Sequence, residues 1–475
     1  IIGGMPDDDR QPRRSSPDAS IGTGRGPDPQ ASGLNLPKRE EEVLRFWEEK
    51  NIFEKTLAKT KRGKPFVLYE GPPTANGSPG IHHFEARAFK DVIPRYKTMR
   101  GFYVERKAGW DTHGLPVEIQ VEKELGLKSK KDIERYGIAK FNAKCRESAW
   151  RYKEEWDRFT QRIGFWLDLE RPYITYQTSY IESLWWVIKE FSRKGLLYQD
   201  FKVVPWCPRC QTGLSTHELG QPDAYRTVKD RSVYVRFRVK SDKPRWKNTA
   251  ILSWTTTPWT LPGNVALAIN PDEDYVAIPD PAAKRQWLIL GQKPFRELVE
   301  KSLFPPEYRS SLMLDDIDTF KGRELIGLEY EPLFAVDKLS VKTSHRVYAA
   351  DFVTMDDGTG VVHTAVMYGE DDYRLGTKAG LPKFHTVDEI GHFIKPLGEG
   401  LGGLPVKDPK TEDVIVASLT RRGLLFAEEM YEHEYPHCWR CDTPLLYYAR
   451  NAWWVKVSAL RKQLLRKRPL RLVSL

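Results

Sequence analysis

The sequence predicts an α/β fold whose first half is interrupted by a long β-rich insertion, and three observations predict it. Between residues 64 and 111 a strand-like run, a Gly/Pro-rich loop, a helical pattern and a second strand-like run follow one another. From about Thr227 to Ile415 the texture changes to many short β-type runs separated by Pro, Gly and Asp turns. Two Cys-x-x-Cys pairs, Cys207 with Cys210 and Cys438 with Cys441, stand on either side of that stretch.

Residues 1–36, rich in Pro, Gly, Ser, Asp and Arg, read as a disordered extension. "LPKREEEVLRFWEEKNIF" sets Val43, Leu44, Phe46 and Trp47 among charges with Pro37 near its start, the pattern of an amphipathic helix. "KPFVLYEGPP" predicts a short buried strand closed by Gly71 and two prolines, which cannot continue a ladder. From His83 to Met99 the pattern is helical, with Phe84, Ala88, Val92 and Tyr96 on one face, and "GFYVERKAGWD" returns as a strand. Strand, loop, helix, strand is a βαβ unit, in which ligands sit at the carboxyl ends of the strands.

The loop "GPPTANGSPGIHH" fits such a site. Glycines let a ligand approach the main chain, and a helix's first turn offers free N–H groups and a positive dipole end to phosphate. The imidazoles of His82 and His83 can donate to negative charge on a phosphoryl group. Taken alone, the loop also fits a plain structural turn. Asp111, in "GWDTHGLPVE", falls on the same sheet edge and suits a cationic group such as an α-amine, although Asp is equally a favoured helix N-cap.

In the β-rich stretch, "SVYVRFRV", "TAILSWTTT", "YVAI", "QWLIL" and "RVYAADFV" read as strands. "WTTTPWTLPGN" clusters Thr255, Thr256 and Thr257 with Asn264 nearby, and a Thr-rich run is by itself a good β-former. "DGTGVVHTAVMYGEDD" carries His363 and, nine residues on, Asp372, which as isolated residues read as structural.

Five cysteines in 475 residues make no disulfide framework. The two pairs together complete a tetrahedral all-sulfur site with no open position, which implies a structural zinc. If residues 228–415 are inserted, their two ends must lie close together, and zinc there would clamp them. Redox pairs and unmetallated thiols are the alternatives. Cys145, in a helical stretch, reads as a buried small residue.

Composition sets outer limits. A 40% share of hydrophobic residues excludes a disordered chain, and no apolar run reaches the roughly 18 residues of a membrane span. No membrane partner is expected, and the cytoplasm is the default compartment. The formal charge is +10, but Lys456 to Arg471 alone holds seven basic residues and no acid, so 458–475 reads as a truncated or non-native basic tail. A basic surface suits a polyanion such as RNA and equally a solvated charged face.

"YEGPPTANG", the histidines heading the next helix, "YKTMRGFYVERKAGWDTHGLPVE" and "KVVPWCPRCQTGLS", in that order, resemble the class I aminoacyl-tRNA synthetases in their isoleucyl branch, over about Leu36 to Val457. The resemblance implies the first half of a Rossmann-like catalytic domain over 37–227 with the first zinc knuckle. It further implies an inserted editing domain at 228–415 and a return to the catalytic domain with the second knuckle at 416–457. It implies ATP (with Mg2+), isoleucine and tRNA(Ile) as reactants, Zn2+ on the four cysteines and a monomer.

By the same resemblance His82 and His83 stabilise the phosphates as pyrophosphate leaves, Gly71, Pro72, Asn76, Gly77 and Gly80 shape the adenylate pocket, and Asp111 with Pro72 receives the amino acid. Thr255, Thr256, Thr257, Asn264, His363 and Asp372 build the editing site, with the threonine hydroxyls on a terminal ribose or a water and Asp372 on the ammonium of the misacylated residue.

Two places depart from the family pattern. The usual signature is His-x-Gly-His, whereas Gly80-Ile81-His82-His83 exchanges the first and third residues, a form that a branch of isoleucyl enzymes carries. Ala365-Val366 stands where Ala-Pro is common. A Lys-Met-Ser-Lys-Ser-like loop, the second half of the sheet and an anticodon-binding region are missing, which implies a fragment inactive in aminoacylation on its own. Helical segments around 131–165 and 180–196, rich in Trp, Tyr and Lys, suit an acceptor stem or plain packing. A freestanding deacylase of mischarged tRNA and a non-enzymatic zinc-dependent RNA-binding module are the other readings.

Overall fold

The computed structural model describes residues 35–68, 70–74, 77–283, 285–306, 308 and 318–466. Of the expected disordered extension only Asn35 and Leu36 are among them, and Leu36 already opens a helix; the tail after Arg466 lies outside. The chain forms two compact units, Ile1–Thr112 with Arg146–Tyr176, and His113–Cys145 with Gln177–Leu475.

In the first unit the helix Leu36–Glu49 is capped by Asn35, whose side chain accepts from Lys38 N at 3.1 Å, with Pro37 in the first turn. The strand expected over 65–70 does not form. Pro65 makes one parallel bridge with Tyr103, Thr74 makes another with Asp111, and Val67 between them is 67% exposed. Proline at its start and at 72–73 removes the donors a ladder needs, so the run stays extended and only brushes its partner. Strands β1 (Lys107–Trp110) and β2 (Asp168–Ile174) do pair, in parallel.

The helix expected from His83 to Met99 forms but starts two residues earlier, at Ile81, and its apolar stripe does not pack. Phe84, Ala88, Val92 and Tyr96 are exposed, while Arg87 and Pro94 are the buried positions. Polar anchors hold the helix instead. Arg87 stacks over Trp156 with 5.0 Å to the ring centroid, Arg95 lies 4.1 Å over Trp166, and Asp91 pairs with both Arg95 and buried Arg106. Trp110, Ala149, Trp156 and Ile174 form the core beside it.

The second unit holds β3 (Leu197–Cys207), β4 (Thr212–Gly213), β5 (Tyr225–Lys240), β6 (Thr249–Thr255), β7 (Ala266–Ile269), β8 (Asp274–Pro279) and β9 (Trp287–Gly291). There follow β10 (Thr319–Lys321), β11 (Glu329–Tyr330), β12 (Arg346–Ala349) and β13 (Val361–Thr364), and then β14 (Leu425–Pro436) and β15 (Leu446–Val455). Ten of these strands make one sheet in the order β10-β8-β9-β6-β5-β11-β12-β7-β13, with β14 also on β5. Both faces of β5 are covered: Val233, Val235 and Phe237 enter one core, and Tyr234 enters another with Leu252 and Phe295. That explains why "SVYVRFRV" reads as nearly continuous apolar sequence, with Arg236 neutralised by buried Asp280 at 2.7 Å.

The chain returns along itself twice. β14 pairs antiparallel with β5, Pro436 opposite Tyr225, and β15 pairs antiparallel with β3, Val455 opposite Leu197. The ten-stranded sheet thus runs from Tyr225, where β5 begins, to Pro436, where β14 ends, slightly before 228 and well past 415. Cys145 is half-buried in the helix Ile138–Arg151, not fully enclosed, and its thiol is pushed up to about 11, first by burial. No helix among the described residues is long and apolar enough to cross a membrane.

Candidate functional site

In the first unit, Gly80 precedes the helix Ile81–Met99 and donates its N–H to His83 Nδ1 at 2.9 Å. His82 lies exposed beside it, the two rings 3.8 Å apart between centroids. His83 is half-buried and meets the edge of Trp156 at 4.6 Å. Desolvation, the neighbouring His82 and then Arg87 all lower its pKa, so the imidazole is neutral at physiological pH with its proton on Nε2. Trp156, 2% exposed, also donates Nε1–H to the Gly77 carbonyl at 2.8 Å. One side chain from the helix Lys153–Arg162 therefore tethers both the loop and the histidine.

Asp111 sits at the carboxyl end of β1, and its Oδ2 accepts from Thr74 Oγ1 at 3.1 Å. It is not a helix cap: the next helix, Leu115–Leu125, has Gly114 at its N-cap, held at φ 98°, a left-handed value that suits glycine. Gly71 is exposed, Pro72 and Gly77 are half-buried, and Asn76 lies outside the described residues. Gly109 lets the Tyr173 ring cross β1 where a Cβ would overlap it, and Tyr173 OH then holds the Glu70 carbonyl at 3.0 Å, just before the loop. Arg87, Trp156 and Tyr173 escaped sequence reasoning because nothing near them in the chain marks their role.

In the second unit a cavity of about 340 Å³ opens between β6, the turn after it and β13. Thr255, Thr256 and Thr257 line it, with His363 from β13 and Asp372 from the first turn of the helix Glu370–Ala379. Two glycines of "DGTG", Gly358 at φ 72° and Gly360 at φ 71°, turn the chain against the cavity. Asn264 is buried outside the lining, its Nδ2 3.5 Å from His363 Nδ1. Thr260, which sequence reasoning passed over inside "WTTTPWTLPGN", stands 2.8 Å from His363 Nε2.

Burial alone pushes His363 down to about 4, so it is a neutral ring at pH 7. Asp372 is pushed up to about 7, first by lost hydration and further by Asp371, against the Ala365 N–H that binds its Oδ2 at 2.9 Å. Val366, where the resemblance led one to expect proline, is buried against Gly376, whose missing Cβ makes the room.

The four cysteines converge in the second unit. Their Sγ atoms lie within 4.8 Å of one another, with Cys207 to Cys441 at 3.5 Å and Cys210 to Cys441 at 3.4 Å. A tetrahedral ion at the usual Zn–S distance needs sulfurs about 3.8 Å apart, so the set fits zinc. The two knuckles share one geometry. Gln211 and Asp442, one residue past each pair, take left-handed φ of 53° and 61°, and each donates its N–H to the first cysteine's carbonyl at 2.8 Å. Ile119, Leu214 and Leu445 pack round the sulfurs, and Arg209 pairs with buried Glu122 at 3.0 Å. Crowded thiols share protons unevenly: Cys207 and Cys210 are raised and Cys438 and Cys441 lowered, chiefly by hydrogen bonds among the sulfurs themselves.

Residues 42–471 match the family of tRNA synthetases class I (I, L, M and V). The isoleucine–tRNA ligase of Thermus thermophilus is 48% identical over 434 residues, covering 91% of this chain and 39% of that protein. That of Thermobifida fusca is 48% identical over 446 residues, with 91% and 39% covered, and that of Clostridium tetani 46% over 426, with 90% and 39%. The chain spans about two-fifths of the length of these curated relatives. The solved ternary complex of Agrobacterium radiobacter K84 LeuRS with tRNA and LeuAMS matches at 18% identity and a TM-score of 0.30, over 84% of this chain and 50% of that one, too loose a likeness to carry weight.

Proposed function

Since the chain belongs to the tRNA synthetases of class I (I, L, M and V), we propose that it carries the isoleucine-activating and proofreading sites of an isoleucine–tRNA ligase, with ATP (with Mg2+), isoleucine and tRNA(Ile) as reactants. In the first unit, the free N–H groups of the helix start at Ile81 and the imidazoles of His82 and His83 face the α- and β-phosphates. With Nδ1 taken by Gly80 N–H, neutral His83 offers Nε2–H to the charge that builds as pyrophosphate leaves. Gly71, Pro72, Asn76, Gly77 and Gly80 shape the adenylate pocket, and Asp111 receives the substrate ammonium.

Proofreading follows from a physical limit. A missing methylene changes binding in an apolar pocket by only about 1–3 kcal/mol, and isoleucyl enzymes facing valine are the usual illustration of it. A second site that hydrolyses the smaller product supplies the rest. Residues 228–415 are the inserted editing domain on this reading, and the cavity of about 340 Å³ is its site, small enough for an aminoacyl group on a terminal ribose. Thr255, Thr256 and Thr257 hold the ribose or the hydrolytic water, Asp372 pairs with the ammonium, and His363 backed by Asn264 forms the wall. The observation that carries the reading is that the threonine run and, about a hundred residues on, His363 and Asp372 line one cavity. Cys207, Cys210, Cys438 and Cys441 hold Zn2+, which supplies no chemistry and ties the two ends of the insertion together.

The test is ATP-free deacylation by the purified chain, with Val-tRNA(Ile) and Ile-tRNA(Ile) compared. The valyl ester is expected to be cleared preferentially, and Asp372→Asn, which removes the partner of an ammonium common to both esters, to slow clearance of the valyl ester. Absence of valyl-ester hydrolysis, or equal rates on both esters, would overturn the proofreading assignment.

A further inference from the structure

The donors and acceptors around His363 fix where its single proton sits. The Ala266 carbonyl can only accept, and it faces Asn264 Nδ2 at 2.9 Å, so the Asn264 amide is oriented with Oδ1 the other way. There Tyr330 OH, wholly buried on β11, donates to Oδ1 at 2.7 Å. The remaining Nδ2 hydrogen is aimed at His363 Nδ1, 3.5 Å away, which must therefore present its lone pair. Across the ring, Thr260 Oγ1 lies 2.8 Å from Nε2 and also 2.8 Å from the Thr257 carbonyl. With a donor facing Nδ1, the ring's proton falls to Nε2, and the Thr260 hydroxyl accepts it there while giving its own proton to the Thr257 carbonyl.

We propose that Tyr330 and Asn264 are positioning residues that lock His363 as the Nε2–H tautomer, so that both ring nitrogens are committed to the protein and the imidazole is not the base that takes a proton from water. The proton order then runs one way, from Tyr330 through Asn264, His363 and Thr260 to the Thr257 carbonyl, in a buried chain where each bond reinforces the next. Its effect is to hold the Thr257 main chain and hydroxyl at the cavity wall. The consequence for hydrolysis rests on the proofreading role proposed above; the tautomer itself does not.

The test uses the full 475-residue chain with 15N-labelled histidine, reading the His363 ring nitrogens by long-range 15N–1H correlation, with His363→Gln to assign the signals. The wild type should carry its proton on Nε2 alone. Asn264→Asp replaces the donor facing Nδ1 with an acceptor and should move the proton to Nδ1, which a merely space-filling Asn264 would not do. Tyr330→Phe frees the amide and should give a mixture of tautomers, with valyl-ester deacylation down about tenfold in kcat and KM little changed. A wild-type proton on Nδ1, or an Nε2–H signal untouched by Asn264→Asp, would overturn the lock. An intact Nε2–H signal and its inversion in Asn264→Asp, in a chain that clears no valyl ester, would uphold the lock while removing the proofreading role.

Discussion

The histidine-bearing loop of the first unit and the threonine-lined cavity of the second are built in contrasting ways. The loop presents main-chain groups and two imidazoles on the surface, held by a few tethers: Trp156 to Gly77, Tyr173 to Glu70, and Gly80 to His83. The cavity is walled by strands of a ten-stranded sheet with both faces covered, and its polar side chains are fixed by buried partners. Main-chain recognition of a phosphate tolerates an open setting, because the helix start supplies the field. Discriminating small side chains does not, because the pocket's volume is the discriminator.

The four-cysteine cluster of the second unit should show the largest effect. Cys438→Ser is expected to take bound zinc from one ion per chain to none and to lower stability by more than about 4 kcal/mol, read by metal analysis and denaturant melts. Unchanged stability in metal-free protein would mean that the pairing of β3 with β15 and of β5 with β14 closes the insertion without help.

Within the cavity, Asp372→Asn should slow valyl-ester clearance roughly 10²-fold, since a buried ammonium would lose its charge partner. The pH dependence sharpens this. Asp372 sits at about 7 in the folded chain, above the ordinary carboxyl, so its contribution to stability is full in acid and is lost as pH rises through about 7. Deacylation should run the other way, rising through the same interval as the carboxylate forms, and Asp372→Asn should flatten both profiles.

In the first unit the expected effects are smaller and local. Gly109→Ala forces the Tyr173 ring away and should cost about 1–3 kcal/mol, with loss of the bond to Glu70. Trp156→Phe deletes one hydrogen bond to Gly77 and should cost about 1 kcal/mol, with faster amide exchange confined to residues 77–83. Exchange spreading through the whole unit would show that the loop is as tightly coupled to its core as the cavity is to its own.

Much of this was readable in the sequence where a feature depends on near neighbours. The helix ending at Met99, the strands within "SVYVRFRV", "TAILSWTTT" and "QWLIL", and the convergence of two Cys-x-x-Cys turns all follow from patterns a few residues long. The apolar run before Gly71 misled because its pattern fits a strand while the prolines around it withhold the ladder, and Phe84, Val92 and Tyr96 misled because a stripe marks a face but not its partner. Tyr330 left no local signal, because it meets Asn264 across 66 residues.

By itself the amino-acid order determined that this protein alternates helix and strand, interrupts that alternation with a β-rich stretch, and brackets the stretch with thiolate pairs, since propensity, turn chemistry and ligand spacing act over short range. Only the tertiary structure decided that Arg87 and not the apolar stripe is the buried face of its helix, that Trp156 tethers the loop, and which nitrogen of His363 holds the proton. Those outcomes depend on atoms brought together from distant parts of the chain, where a buried polar group must find its partner and only the folded core determines which one it meets.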